Sequence, residues 1–295
     1  LISGASRAPA AQLTTLAIVA PFGQADVGAS LFYYRILQGI QQATQQTGAS
    51  VVFRKVAAPY KDFAAALSQE RNLSAILVLG LVDQKILAAL SRIALPLVLV
   101  DSSRPAGERR LDYVCHSGEA SCFQAVTHLL QLGHRDVGLL NYVPFTPAAQ
   151  ERQAGYARAL AAHGLPMRRE HMFSVACNST AAYAAMRRIL NSGPVPTALF
   201  CTSDELALGA LTAAKDHGLC IPRDLSVIGF GDLGHFTWPP LSSIRVPVEQ
   251  MGSQAVEFLR RRVEQPAAPA QERVFPTEYL PRATCDFPRT QPKPG

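Results

Sequence analysis

The 295-residue sequence contains no apolar stretch approaching the roughly 18 to 20 residues needed to cross a bilayer, which excludes a helical membrane span. It has no CxxC pair and no Cys/His ligand spacing around Cys115, Cys122, Cys177, Cys201, Cys220 and Cys285, so no metal site is expected. No GxGxxG follows a predicted strand, no GxxxxGK[ST] phosphate loop occurs, and GxSxG and HExxH are missing. His128 and His134 are six residues apart, a spacing that suits neither a metal nor a nucleophile–base pair, and they read as packing or surface histidines. No cofactor and no catalytic residue is therefore expected, and the chain does not read as an enzyme. Aromatics make up only 7%, so the core should be aliphatic. A surplus of one charge sign is nearly absent too: 28 Lys+Arg against 22 Asp+Glu leave a diffuse +6. Its densest run, Arg260-Arg261-Arg262, reads as a solvated helix end rather than a nucleic-acid surface.

What is present is the composition of a soluble globular protein, 48% apolar and 17% charged, with length for two average domains. Cysteines inside apolar runs, such as Cys201 after Ala198-Leu199-Phe200, read as buried free thiols, which favours a reducing cytoplasm. The opening LISGASRAPAAQ lacks an initiator Met and the basic-then-apolar pattern of a secretory signal, and reads as the cut end of a linker.

Short aliphatic runs alternate with amphipathic segments of helix length. Strands are predicted over 16–20, 51–56, 75–79 and 97–100, alternating with helices over 31–46, 60–70 and 84–93. A helix over 118–132 leads into a strand over 137–140, which closes the first series. A second series has helices over 147–162, 180–190 and 204–217 and strands over 171–174, 198–200 and 225–228, before a last helix over 248–263 and a strand over 273–275. Continuous aliphatic strands suit parallel sheets buried on both faces. The expected fold is α/β: two doubly wound lobes with a cleft between them, the functional residues lying just after strands.

Several motifs keep a fixed order. They are Leu37-x-Gly39-Ile40; His128-Leu129-Leu130-x-Leu132-Gly133-His134-Arg135; Glu151-Arg152-x-x-Gly155-Tyr156; Asp204-x-x-Ala207-x-Gly209; Asp224-Leu225-Ser226-Val227-Ile228-Gly229-Phe230; and Pro239-Pro240-Leu241-Ser242-Ser243-Ile244-Arg245. Together they resemble the effector-binding core of the lactose-repressor (LacI/GalR) family of bacterial transcription regulators, over residues 14–284. The resemblance implies a periplasmic-binding-protein-like pair of Rossmann-type lobes that interleave in sequence. The N-terminal lobe would be 13–141 with 247–276 and the C-terminal lobe 142–246 with 277–288, flanked by a linker remnant at 1–12 and a tail at 289–295. It also implies a cytoplasmic homodimer that binds a small-molecule effector, a sugar, sugar acid or related metabolite. Operator DNA would be bound through a helix-turn-helix headpiece that this chain lacks.

By the same resemblance the effector contacts are Phe32 and Tyr33, Ser117, Arg152, Cys177, Asp204 and Asp232. Aromatics at a helix start also commonly pack on the sheet. Arg152 carries a planar fork that can hold two hydroxyls or a carboxylate, and Asp204 could both accept ligand hydrogen bonds and cap its helix. Three positions depart from the family pattern. Gly231-Asp232 stands where two acidic or amide residues are common, Ser117-Gly118 where an Asp-Asn pair is common, and Cys177 where an aromatic often stacks on the effector. Each departure removes a charge or a ring, which makes an anionic effector relatively more attractive. The alternative reading is a periplasmic solute-binding protein of a sugar transporter, against which stand the unpaired thiols and the Pro-Pro-Leu-Ser-Ser-Ile stretch.

Overall fold

Strands of 3 to 7 residues and α-helices of 7 to 17 follow one another in the computed structural model, which describes residues 12–21, 30–80, 84–102, 111–143, 146–192, 194–233 and 237–289. The first elements are β1 (Thr15–Ala20), α1 (Leu31–Thr47), β2 (Ser50–Lys55), α2 (Tyr60–Ser68), β3 (Ala75–Leu79), α3 (Gln84–Leu90), β4 (Leu97–Val100) and β5 (Asp112–His116). Next come α4 (Glu119–Gln131), β6 (Val137–Val143), α5 (Pro147–Ala162), a 3-10 turn (Arg169–His171), β7 (Met172–Ala176), α6 (Ser179–Ser192), β8 (Ala198–Cys201), α7 (Asp204–Asp216) and β9 (Ser226–Phe230). The last are β10 (Ser242–Arg245), α8 (Val248–Glu264), β11 (Glu272–Phe275) and β12 (Glu278–Leu280).

These elements form two compact units. The first holds a sheet of order β11-β5-β4-β3-β1-β2, with every pairing parallel. The second holds a sheet of order β12-β10-β9-β8-β6-β7, parallel except where β12 pairs antiparallel with β10. The central strands are buried along their whole length, β3 as Ala75-Ile76-Leu77-Val78-Leu79 and β8 as Ala198-Leu199-Phe200-Cys201. That is why they read as continuous aliphatic runs. Helix ends follow local chemistry. Gly48 stops α1 in the left-handed conformation (φ 72°), with its N–H on the Thr44 carbonyl. Thr146 caps α5 by accepting from the Ala149 N–H, with Pro147 in the first turn.

The chain changes units earlier than the expected boundary at 141/142. The first unit ends at His116 and resumes over Pro247–Phe275, while the second runs over Ser117–Val246 and resumes at Pro276. Helix α4 and strand β6 therefore belong to the second unit. The reason is pairing: β6 is flanked by β7 and β8 (Leu139 opposite Met172 and Phe200), and Gly155 of α5 lies against the α4 backbone at Glu119 and Phe123. The sixth strand of the first sheet is instead β11, which returns after the whole second unit and pairs with β5. Of the expected linker 1–12 and tail 289–295, all but Gln12 and Arg289 lie outside the described residues.

The arginine run is not simply a solvated helix end. Arg260 does lie along the helix surface against Glu257 and Glu264. Arg262 instead turns inward, its fork held by both oxygens of the buried Asp112 at 3.0 and 2.9 Å. His134 is buried and satisfied by Thr197 Oγ1 (2.8 Å), Ser226 Oγ (3.2 Å) and the Asp286 carbonyl (2.9 Å). Burial pushes its pKa below the usual histidine value. Among the described residues no group of three or more His, Cys, Asp or Glu could hold a metal ion, and no helix is long and apolar enough to cross a membrane.

Candidate functional site

In the first unit, β1, β3, β4 and β5 all point the same way, so the residues that follow them gather at one sheet edge. Phe32 and Tyr33, at the start of α1, meet edge to face with centroids 5.4 Å apart. Phe32 also packs edge-on to His116, the last residue of β5, at 6.3 Å. The Tyr33 hydroxyl donates to Asp101 Oδ2 at 3.1 Å, and Asp101 Oδ1 lies 3.6 Å from His116 Nε2. Asp101 follows β4 in the left-handed region (φ 49°). The two predicted aromatics are thus joined by Asp101 and His116, which sequence reasoning did not single out. Their position directly after or at the end of a strand was the available signal.

In the second unit the corresponding edge is built around Arg152, on the second turn of α5 and only 7% exposed. Its guanidinium lies over the Phe230 ring, with Cζ 3.8 Å from the centroid, and 5.9 Å from the Tyr142 centroid. One Nη donates to the Thr202 carbonyl at 2.6 Å. Thr202 is itself fixed, its hydroxyl donating to Asn141 Oδ1 at 2.9 Å, and that amide oxygen also accepts the Tyr142 N–H. Phe230 ends β9 and Thr202 follows β8, so two strand termini hold one arginine flat. Its Nε is buried without a hydrogen-bond partner. No carboxylate of the described residues lies within ion-pair distance of it. The neighbouring Glu151 accepts from the Gly118 N–H instead, and burial pushes its carboxyl upward, toward the neutral form.

The two predicted aspartates are engaged elsewhere. Asp204 is 2% exposed, and its oxygens accept from the Leu233 N–H (2.5 Å) and the Ser243 hydroxyl (2.7 Å). The cap of α7 is Ser203, which accepts from the Leu206 N–H at 3.3 Å, and Asp204 is not the cap. Asp232 is clamped by Arg245 Nε at 2.7 Å and by Arg282. Burial works to raise its carboxyl, and the two guanidiniums hold it below the usual range. Gly231 has φ 132° and Asp232 φ 60°, a turn whose first position suits glycine. Ser117 contributes its carbonyl to Thr277 Oγ1 at 2.9 Å. Cys177, exposed after β7, donates to Ser203 Oγ at 3.7 Å. Cys177, Ser203, Thr202, Phe230 and Arg152 therefore share one sheet edge, whereas Asp204 and Asp232 are used in holding the turn after β9.

Burial pushes the Asp204 carboxyl up from the usual aspartate value of 3.8 to about 6, against the two hydrogen bonds that favour its charge. The folded state thus binds the proton more tightly than the unfolded one, so stability falls as pH rises from about 4 to about 6 and the whole cost is present at pH 7. A rise of this size corresponds to about 3 kcal/mol. Asp204→Asn keeps the shape, with Nδ2 free to donate to Ser243. Urea unfolding at pH 4 and pH 7 should show the wild type losing ground to this variant by about that amount; a difference independent of pH would remove the buried charge as its cause.

The model of a periplasmic binding protein-like domain matches residues 126–285, more than half of the chain. A probable HTH-type transcriptional repressor ExuR of Bacillus subtilis (strain 168) is 30% identical over 190 residues, 64% of this chain and 56% of its own. An HTH-type transcriptional repressor PurR of Glaesserella parasuis serovar 5 (strain SH0165) is 31% identical over 194 residues, 63% and 55% respectively. The chain thus spans about half the length of these curated relatives, both of them transcriptional repressors by name. The solved complex of the transcriptional regulator CelR with cellobiose superimposes with a TM-score of 0.84 at 25% identity, covering 94% of this chain and 86% of that one. The chain belongs to the periplasmic binding protein-like domain family.

Proposed function

We propose that this chain is the effector-sensing and dimerisation part of a bacterial transcription regulator acting in the cytoplasm. A small metabolite, a sugar or sugar acid, binds at the carboxyl-edge residues and changes operator affinity through a helix-turn-helix headpiece of the whole protein. The observation that carries this reading is the buried Arg152, laid flat on Phe230 and tethered to Thr202 at the edge where ligands of parallel α/β sheets bind. The HTH-type repressors among its relatives support the DNA-binding half. In the first unit, Phe32 and Tyr33, with Tyr33 bonded to Asp101, are the candidate contact residues.

An effector can shift operator affinity only by its differential affinity for the two states of the protein, typically about 1–3 kcal/mol or roughly 5–150-fold. The full-length protein should enrich a palindromic sequence from random DNA, because a two-fold dimer reads two half-sites. It should sediment as a dimer, and its affinity for the selected DNA should change within that range when effector is added. A full-length protein that enriches no sequence would overturn the regulator reading.

A further inference from the structure

The guanidinium of Arg152 is a positive charge held in the protein interior with most of its donors unspent. A guanidinium has five N–H donors. Among the described residues one of them meets an acceptor, the Thr202 carbonyl, and the buried Nε meets none. Stacking on Phe230 orients the plane and supplies the ring's negative face, but it does not neutralise the charge. An unpaired buried charge is costly, and proteins keep one where a ligand supplies the counter-charge.

Of the carboxylates close by in the second unit, none makes a hydrogen bond to Arg152 among the described residues: Glu151 acts on it only through space, and Glu205 lies near Cys177. Asp204 has both oxygens occupied by Leu233 and Ser243. Asp232 has both oxygens occupied by Arg245 and Arg282. Glu151 lies against the Gly118 N–H. Glycine, with no side chain to offer, stands at 118 and 231 on the same edge. The side chains and carbonyl that share this edge with Arg152, namely Cys177, Ser203, Thr202, Tyr142 and Phe230, carry no charge to offset it. A neutral polyol could bond to the guanidinium fork but would bring it no counter-charge.

The geometry points to a carboxylate-bearing effector, a sugar acid rather than a neutral sugar, whose carboxylate pairs with the free donors of Arg152. This deepens the regulator reading and rests on it. A carboxylate matches the guanidinium fork in charge and in shape, and excluding a second acid from the edge removes the repulsion that would otherwise reject it.

The test is thermal unfolding of this chain with D-glucuronate, D-galacturonate and D-gluconate, each against D-glucose and D-galactose at matched ionic strength. At least one acid should raise Tm by about 2 °C or more while the neutral sugars do not. Arg152→Met should abolish the rise while leaving the ligand-free Tm unchanged or higher, because a buried unpaired charge is removed. Arg152→Lys keeps the charge without the fork and should weaken the response, which serves if the methionine variant does not fold. A rise with neutral sugars equal to that with acids overturns the assignment and leaves the regulator reading standing. A rise that survives in Arg152→Met, or no rise with any acid, overturns it too. The DNA selection on the full-length protein judges the regulator reading independently.

Discussion

Asp112→Ala should destabilise the first unit by about 3–5 kcal/mol, the range for breaking a buried ion pair by removing one partner. Asp112 is 3% exposed and accepts from Arg262 Nε at 3.0 Å, from Arg262 Nη2 at 2.9 Å and from the Gln271 N–H at 2.6 Å. It opens β5, Arg262 lies in the last turn of α8, and Gln271 immediately precedes β11. One carboxylate therefore fastens the returning helix and strand to the sheet that the chain left at His116. Its removal would leave the Arg262 guanidinium, only 17% exposed, without its counter-charge and with only the Pro266, Ala268 and Pro269 carbonyls, and the Gln271 N–H without its acceptor. Urea unfolding followed by far-UV circular dichroism measures the effect. A loss below about 1 kcal/mol would place the pair among surface bridges and sink this account. Replacing both partners together, as Asp112→Leu with Arg262→Met, should recover much of the loss, because the penalty lies in the uncompensated charge.

Gly39→Val is expected to have an effect of similar size on the same unit, about 3 kcal/mol or more, since overpacking by even a methylene typically costs about 1–3. Helices α1 and α8 meet backbone to backbone. A Cβ at Gly39 would overlap the Glu249 carbonyl, and one at Gly252 would overlap the Ile36 carbonyl and approach the Ile40 nitrogen. The Ser253 hydroxyl sits in the same contact, bonded to the Gly39 and Glu249 carbonyls at 3.1 Å each. The obstacles are main-chain atoms, so no side-chain rotation relieves them and the helices must separate. On the exposed side of α1, Gln45→Ala should change stability by no more than about 0.5 kcal/mol. If Gly39→Val behaved like that control in the same unfolding experiment, the close approach would be refuted.

The elements easiest to read were those whose burial is uniform. Apart from Thr15 at the start of β1, the strands β1, β3, β4 and β8 are apolar along their length because both faces are covered. β5 carries Asp112, Tyr113 and His116 with alternating burial, and β10 is Ser-Ser-Ile-Arg. Neither looks like a core strand by composition. In β10 the buried serines are tolerated because distant partners satisfy them: Ser243 donates to Asp204, and the Ser242 hydroxyl accepts the Arg282 N–H at 2.9 Å. The same dependence on distant partners decides the candidate site. Arg152 was legible from its motif. Whether Asp204 and Asp232 were free to meet a ligand depended on Leu233, Ser243, Arg245 and Arg282, none of which stands within their own local pattern.

Local periodicity was enough to determine the alternation of strands and helices, the aliphatic core and the ordered motifs of the family. Those properties arise from neighbours along the chain. Strand partnership and charge compensation do not, because they join residues separated by tens or hundreds of positions. Only the tertiary structure decided that the chain changes units after His116, that α8 and β11 return to close the first sheet, and that Arg152 lies buried at its sheet edge with its Nε unbonded while Asp204 and Asp232 are spent on holding a turn.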